Sequence, residues 1–105
     1  MIIFEMISKL NKRICLNKER SIHILSRVEM KNQENKIKET LTSPNEIRES
    51  LKDKSIWIYY KKYSKTPVTQ KYMLVVVKVL NNEGEVITAF FTDRIKKGEI
   101  IWRKN

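Results

Sequence analysis

The run from Tyr72 to Leu80 constrains the fold of this chain more than any other segment. Its residues are apolar or aromatic throughout, except for the charged Lys78. Valine, which is abundant here, favours strands, and a strand that is apolar on both sides is typical of the middle of a sheet. We therefore predict a sheet with this strand near its centre.

The next residues predict how this strand is paired. Residues 81–85, Asn-Asn-Glu-Gly-Glu, predict a five-residue hairpin loop before a returning strand. In that register Lys78 lies opposite Thr88, and Leu74 lies opposite Thr92. The period of two then puts four side chains on one face: Lys78, Thr88, Phe90 and Thr92. A lysine in an apolar strand is costly without a partner, so Lys78 either extends to the sheet edge or lines a site.

The other elements follow from composition and capping signals. Aromatic and β-branched residues over 56–63 predict a second strand, and residues 100–102 predict an edge strand. Asn17 is a suitable N-cap for a helix over 18–28, and a second helix is predicted over 34–42. The apolar stripe predicted for the first helix is Ile22, Leu25 and Val28. Helices before strands predict an α+β fold, with N-terminal helices packed on a four- to five-stranded antiparallel sheet.

Length and cysteine content limit the class of protein. Residues 1–13 are predicted to be an N-terminal extension, a strand or a short helix, and residues 14–105 a single domain. Cys15 has no cysteine partner, so we expect a reduced, buried side chain. No apolar run approaches the roughly 18 residues of a membrane span, and no signal peptide is recognised. We expect a soluble cytoplasmic protein without a metal or a cofactor.

The charge of the chain points to its class of partner. There are 22 Lys and Arg against 12 Asp and Glu, a formal net charge of +10. Such a charge favours anionic partners, first nucleic acids and then acidic proteins or membrane surfaces. RNA is the expected partner, and an acidic inhibitor protein is the second. A high lysine count can equally reflect an AT-rich genome, and the basic pairs Lys61-Lys62, Lys96-Lys97 and Arg103-Lys104 are most simply solubility charges.

His23 is the only histidine, and it lies between two arginines. Arg20, His23 and Arg27 are three and four residues apart, so a helix puts them on one face. Imidazole transfers protons near neutral pH, and guanidinium groups bind phosphate. This combination suits metal-free cleavage of RNA. It equally suits an ordinary solvated helix face, and both interpretations stay open.

Several short pieces occur in a characteristic order along most of the chain. They are Leu16-x-x-Glu19-Arg20-x-x-His23-Ile24, Ile37-x-x-Thr40-Leu41-x-x-Pro44, Tyr59-Tyr60-Lys61, Leu74–Val79 and Thr88–Thr92. In this order they resemble the group of small ribonucleases that includes barnase, EndoU, the ribonuclease colicins and RelE. The resemblance implies a metal-independent ribonuclease, with helices packed on an antiparallel sheet. Many members of the group act as toxins or phage effectors.

The resemblance also implies roles for individual residues. The expected catalytic residues are His23, Arg27, Lys78 and Thr88. The expected RNA-binding residues are Arg20, Tyr60, Lys61, Lys62 and Thr92. Close relatives carry a second histidine in an Arg-His-Pro-Glu-like run, where this chain has Arg27-Val28-Glu29-Met30. The expected function is RNA cleavage by 2′-hydroxyl transesterification, and the alternative is a non-catalytic RNA- or protein-binding module.

Overall fold

A computed structural model describes all residues from 1 to 105. One sheet contains every strand, and two helices and a 3-10 turn complete the regular structure. The strands are β1 (Ile2–Ile7), β2 (Arg13–Asn17), β3 (Glu46–Glu49), β4 (Ile56–Lys62), β5 (Tyr72–Leu80), β6 (Glu83–Thr92) and β7 (Glu99–Arg103). The helices are α1 (Lys18–Leu25) and α2 (Glu34–Thr42), and the 3-10 turn is Val28–Met30. Neither helix is long and apolar enough to cross a membrane.

The strand order is β1-β2-β6-β5-β4-β3-β7, which puts β5 at the centre as its apolar run predicts. Neighbouring strands are antiparallel except β2 and β6, which are parallel over three residue pairs. The predicted fold, N-terminal helices on a four- to five-stranded antiparallel sheet, is therefore wrong. The sheet has seven strands and is mixed, and a hairpin of two strands precedes both helices.

The N-terminal segment was predicted only as a strand or a short helix, because the strands there are short. In the six residues of β1, Phe4 and Met6 pack on the core while Glu5 is exposed, which is too few repeats to identify a period. The neighbour of β2 is also far away in the chain, since Arg13 pairs with Glu83. Nothing local in the sequence indicates a partner at that distance.

Both helices pack on the same side of the sheet, termed here the helix-covered face. Ile24 of α1 and Ile37 and Leu41 of α2 are fully buried in the main core. The sheet residues of this core are Phe4, Ile14, Leu16, Ile47, Tyr59, Met73, Val75, Val77, Val79, Val86, Ala89 and Phe91. The opposite side, the helix-free face, carries a smaller cluster made of Ile58, Tyr60 and Leu74.

The capping of α1 is as predicted, but its apolar stripe is not. The Asn17 side chain accepts a hydrogen bond at 2.9 Å from the backbone N–H three residues later. Ile22 is 61% exposed and Val28 is 90% exposed, while Ser21 and Ile24 are the buried residues of the helix. The helix ends before Val28, which therefore falls in the 3-10 turn and leaves the stripe.

Residues 93–98, termed the crossing segment, run over the helix-free face. They connect the end of β6 to the start of β7 across β5, β4 and β3. Ile95 packs against the small cluster, and the Lys96 backbone N–H donates to the Tyr60 hydroxyl at 2.9 Å. Arg48 donates to the Lys96 carbonyl at 3.2 Å. The crossing segment therefore closes the middle of this face.

The hairpin of β5 and β6 turns through residues 81–82, so the predicted five-residue loop is wrong. The first of these asparagines has φ 59°, a left-handed conformation that asparagine tolerates. Lys78 lies opposite Glu85, and Thr88 lies opposite Val76. A β-bulge in β6 shifts the later residues by one position. Thr88 therefore still shares the helix-free face with Lys78, although the two are not paired.

Candidate functional site

α1 stands beside the second half of β6. β2 pairs only with the first three residues of β6, and the chain then turns into α1. From this position Arg20 lines a groove of about 710 Å³ together with Lys78. The guanidinium carbon of Arg27 lies 5.9 Å from the centroid of the Phe90 ring. The two arginines therefore bring positive charge to one edge of the helix-free face.

His23 is exposed on the last turn of α1, between these two arginines. Its ring makes no hydrogen bond and no ion pair within the protein, while its backbone carbonyl accepts from the Ser26 hydroxyl at 2.8 Å. No second acid–base side chain orients the ring or selects its tautomer. The imidazole is accessible to a substrate but is not oriented in advance.

Thr88 and Lys78 differ in how far they are available to a ligand. The Thr88 hydroxyl is buried and has no hydrogen-bond partner in the protein, which costs about 1–3 kcal/mol. The Lys78 side chain is exposed. The pKa of Asp53 is lowered mainly by hydrogen bonds from Ser55; burial opposes this, and the Lys78 charge is the last cause that lowers it. Lys78 is therefore open to solvent along the 710 Å³ groove.

Charges in the 710 Å³ groove are balanced. Arg20 and Lys78 share it with the carboxylates of Glu83 and Glu85. It also contains Cys15, whose pKa is raised by burial first and then by the negative charge of Glu85. The thiol is therefore protonated at neutral pH. A groove with as many carboxylates as cations has no strong preference for an anion.

Tyr60, Lys61 and Lys62 do not act together. Tyr60 is fully buried beneath the crossing segment, and burial raises its pKa. Lys61 lies on the helix-covered face, where its Nζ donates to the Ser43 carbonyl at 2.9 Å. Lys62 is exposed on the helix-free face. The period of two separates the two lysines, and of the three side chains only Lys62 is free to contact a ligand.

Cations gather at the end of the helix-free face where β4 and β6 stop. Lys62, Tyr72 and Thr92 form a row across β4, β5 and β6. The first two line a groove of about 370 Å³, and Thr92 lines a second groove of about 370 Å³. With the cations that line these grooves they make up the basic end: Lys62, Tyr72, Thr92, Arg94, Lys96, Arg103 and Lys104.

Few carboxylates oppose these cations. Glu46 is 5% exposed and is held by Arg48 and by Arg103, whose Nε lies 3.1 Å from its Oε1. Asp93 lines the second groove. Because Glu46 is already paired with two guanidinium groups, the basic end keeps an excess of positive charge that favours an anionic ligand.

Of the seven residues of the basic end, only Lys62 and Thr92 were predicted as site residues, and the sequence did not single out Tyr72, Arg94, Lys96, Arg103 or Lys104. The predicted register set Leu74 opposite Thr92, whereas the observed register sets Tyr72 there. A two-residue turn at Asn81 alone would set Tyr72 opposite Phe91, and the β-bulge in β6 moves the pairing by one residue to Thr92. Arg103 carried no local signal, because it joins this end only through the pairing of β7 with β3.

The structure divides the predicted site residues among three places. Along α1 and the neighbouring sheet face lie Arg20, His23, Arg27, Lys78 and Thr88. Lys62 and Thr92 lie at the basic end, and Tyr60 and Lys61 are engaged elsewhere. No group of three or more His, Cys, Asp or Glu side chains is placed to hold a metal ion. Comparison with known protein families, characterised proteins and solved structures found no match for this chain.

Proposed function

We propose that this chain is a metal-independent ribonuclease whose substrate lies on the helix-free face beside α1. The observation that supports this most is that Arg20 and Arg27 both lie at the edge of the helix-free face. These arginines flank His23 in the chain. Arg20 lines the groove that Lys78 also lines, and Arg27 lies over the Phe90 ring. A phosphate beside the accessible imidazole would meet the Arg27 guanidinium on one side and Arg20 on the other, although the groove of Arg20 also holds the carboxylates of Glu83 and Glu85.

In this proposal His23 takes the proton of a ribose 2′-hydroxyl. The 2′-oxygen attacks the adjacent phosphorus, and the bond from phosphorus to the 5′-oxygen breaks. The imidazolium then returns the proton to the 5′-oxygen, which leaves a 2′,3′-cyclic phosphate and a 5′-hydroxyl. Arg20 and Arg27 stabilise the negative charge on the phosphoryl oxygens. A positioned acid–base group contributes about 10²–10⁴-fold to such a rate.

A second function, RNA binding without cleavage, is favoured by a different observation. His23 has no side-chain partner to orient it, and the chain offers no second histidine. The excess of positive charge at the basic end is independent of His23. A protein with these features would bind RNA through its phosphates whether or not it cleaves.

Cleavage of a labelled mixed-sequence oligoribonucleotide in EDTA tests the proposal. We expect products that end in cyclic phosphate with the wild type, and at least a hundredfold lower rate with His23→Ala. A matched RNA with 2′-deoxy sugars should stay intact, because it lacks the attacking hydroxyl. If wild type and His23→Ala both bind RNA and neither cleaves it, the ribonuclease proposal fails and the second function takes its place.

A further inference from the structure

We infer that the basic end is a subsite for one nucleotide of single-stranded RNA, in which the base stacks on Tyr72 and basic side chains hold the neighbouring phosphates. The inference rests on the proposed function for its ligand, RNA. It adds residues and a binding mode that cleavage at His23 does not require.

Tyr72 has the position and freedom that stacking needs. Its side chain is partly exposed, and its hydroxyl makes no hydrogen bond within the protein. Lys62 and Thr92 flank it on the neighbouring strands. The groove of about 370 Å³ beside it is within the size range of small-ligand sites, about 300–1,000 Å³. An aromatic ring among cations is the usual platform for bases of single strands.

The cations around Tyr72 are free to bind phosphate. The Nζ atoms of Lys62 and Lys104 make no hydrogen bond or ion pair within the protein. Arg103 uses its Nε for Glu46, and its side chain is 55% exposed, so its two terminal nitrogens remain available. Guanidinium groups bind phosphate through such paired donors. The other tyrosines do not compete, because Tyr59 and Tyr60 are fully buried and Lys36 and Lys61 lie over the ring of Tyr63.

The subsite adjoins the proposed cleavage site. Leu74 pairs with Phe90, so Tyr72 is the diagonal neighbour of Phe90 across β5 and β6. Such neighbours are about 7–8 Å apart. Arg27 and Lys96 both lie over the Phe90 ring, so a phosphate at Arg27 would also be close to Lys96, a cation of the basic end. This continuity favours RNA over an acidic protein as the ligand of the basic end.

Binding of a fluorescent eight-nucleotide RNA with 2′-O-methyl sugars tests the inference, because this RNA binds but has no free 2′-hydroxyl for cleavage. Tyr72→Leu, which keeps an apolar side chain and removes the ring, should weaken binding about 5- to 100-fold. Lys62→Gln should weaken binding and reduce the slope of log K against log salt by about 0.7. Lys61→Gln is the matched control on the opposite face and should bind as the wild type does.

Thermal unfolding of each variant verifies that it is folded. Wild-type affinity of both Tyr72→Leu and Lys62→Gln would overturn the subsite while leaving cleavage at His23 intact. Equal losses of RNA affinity in Lys61→Gln and Lys62→Gln would also overturn it. Binding would then depend on total charge and not on the face of the sheet that carries the lysine. Failure of the wild type to bind RNA at any salt concentration would overturn the proposed function and the subsite together.

Discussion

Lys61 and Lys62 are neighbours in the chain and lie on opposite faces of the sheet. Lys61 donates to the Ser43 carbonyl at the C-terminal end of α2, whereas Lys62 lines a groove of the basic end. The same side chain therefore stabilises the fold at one position and is available to a ligand at the next. Replacing each lysine in turn therefore distinguishes the effect of total charge from the effect of charge on one face of the sheet.

This difference should be visible in stability. Lys61→Gln removes a cation and a hydrogen bond from the end of α2, and we expect the free energy of unfolding to fall by about 0.5–1 kcal/mol. Lys62→Gln should change it by less than about 0.5 kcal/mol. Urea denaturation of the two variants measures both values. A larger loss for Lys62→Gln would contradict the observed faces.

The unpaired hydroxyl of Thr88 predicts a stabilising substitution. Thr88→Val keeps the shape of the side chain and removes a buried polar atom without a partner. We expect the free energy of unfolding to rise by about 1 kcal/mol. Thr92→Val is a suitable comparison, because the Thr92 hydroxyl has backbone partners in Arg94 at 3.2 and 3.3 Å. That variant should be destabilised, and a loss in Thr88→Val would show that its hydroxyl is bound after all.

Three tyrosines predict how stability depends on alkaline pH. Burial is the first cause that raises the pKa of Tyr59, Tyr60 and Tyr63, and Glu39 raises that of Tyr63 further. Below the unfolded pKa of about 10 their contribution to stability is complete. As the pH rises above 10, the unfolded state loses protons that the folded state keeps, so stability falls.

Each raised tyrosine contributes up to about 1.4 kcal/mol per pH unit to this fall. Urea denaturation between pH 9 and pH 11.5 should show it. In Tyr63→Phe the free energy of unfolding should fall less steeply with pH above pH 10, by up to about 1.4 kcal/mol per pH unit, the contribution of one tyrosine. A slope that is the same in Tyr63→Phe and the wild type would contradict the assignment of a raised pKa to Tyr63.

Cys15 should react slowly with thiol reagents at neutral pH. Burial and then the Glu85 carboxylate raise its pKa, and only the thiolate is a nucleophile. Glu85→Gln should lower the pKa and speed the reaction with a disulfide reagent at pH 8. Glu83→Gln is the matched control, because Glu83 is the weakest cause of the shift and should have a smaller effect. Equal rates in wild type and Glu85→Gln would show that the carboxylate has no influence.

Local signals in the sequence predicted the elements that depend on local physics. The apolar run of β5 predicted the central strand, and Asn17 predicted the start of α1. The row of Lys62, Tyr72 and Thr92 depends instead on register. The turn is three residues shorter than predicted and the β-bulge adds one residue, so the pairing at Thr92 differs from the predicted one by two positions. Cleavage at His23 stays a prediction, since exposure alone decides neither catalysis nor its absence.

The pairing of β2 with β6 bears on the order in which this chain folds during synthesis. Arg13 and Glu83 are neighbours in the sheet, so the first hairpin has no strand to join until β6 has left the ribosome. At about 5–20 residues per second that interval lasts roughly 4–14 s. During it Ile14 and Leu16, which are fully buried in the finished fold, are open to proteases and chaperones. The strands made first are thus among the last to be protected.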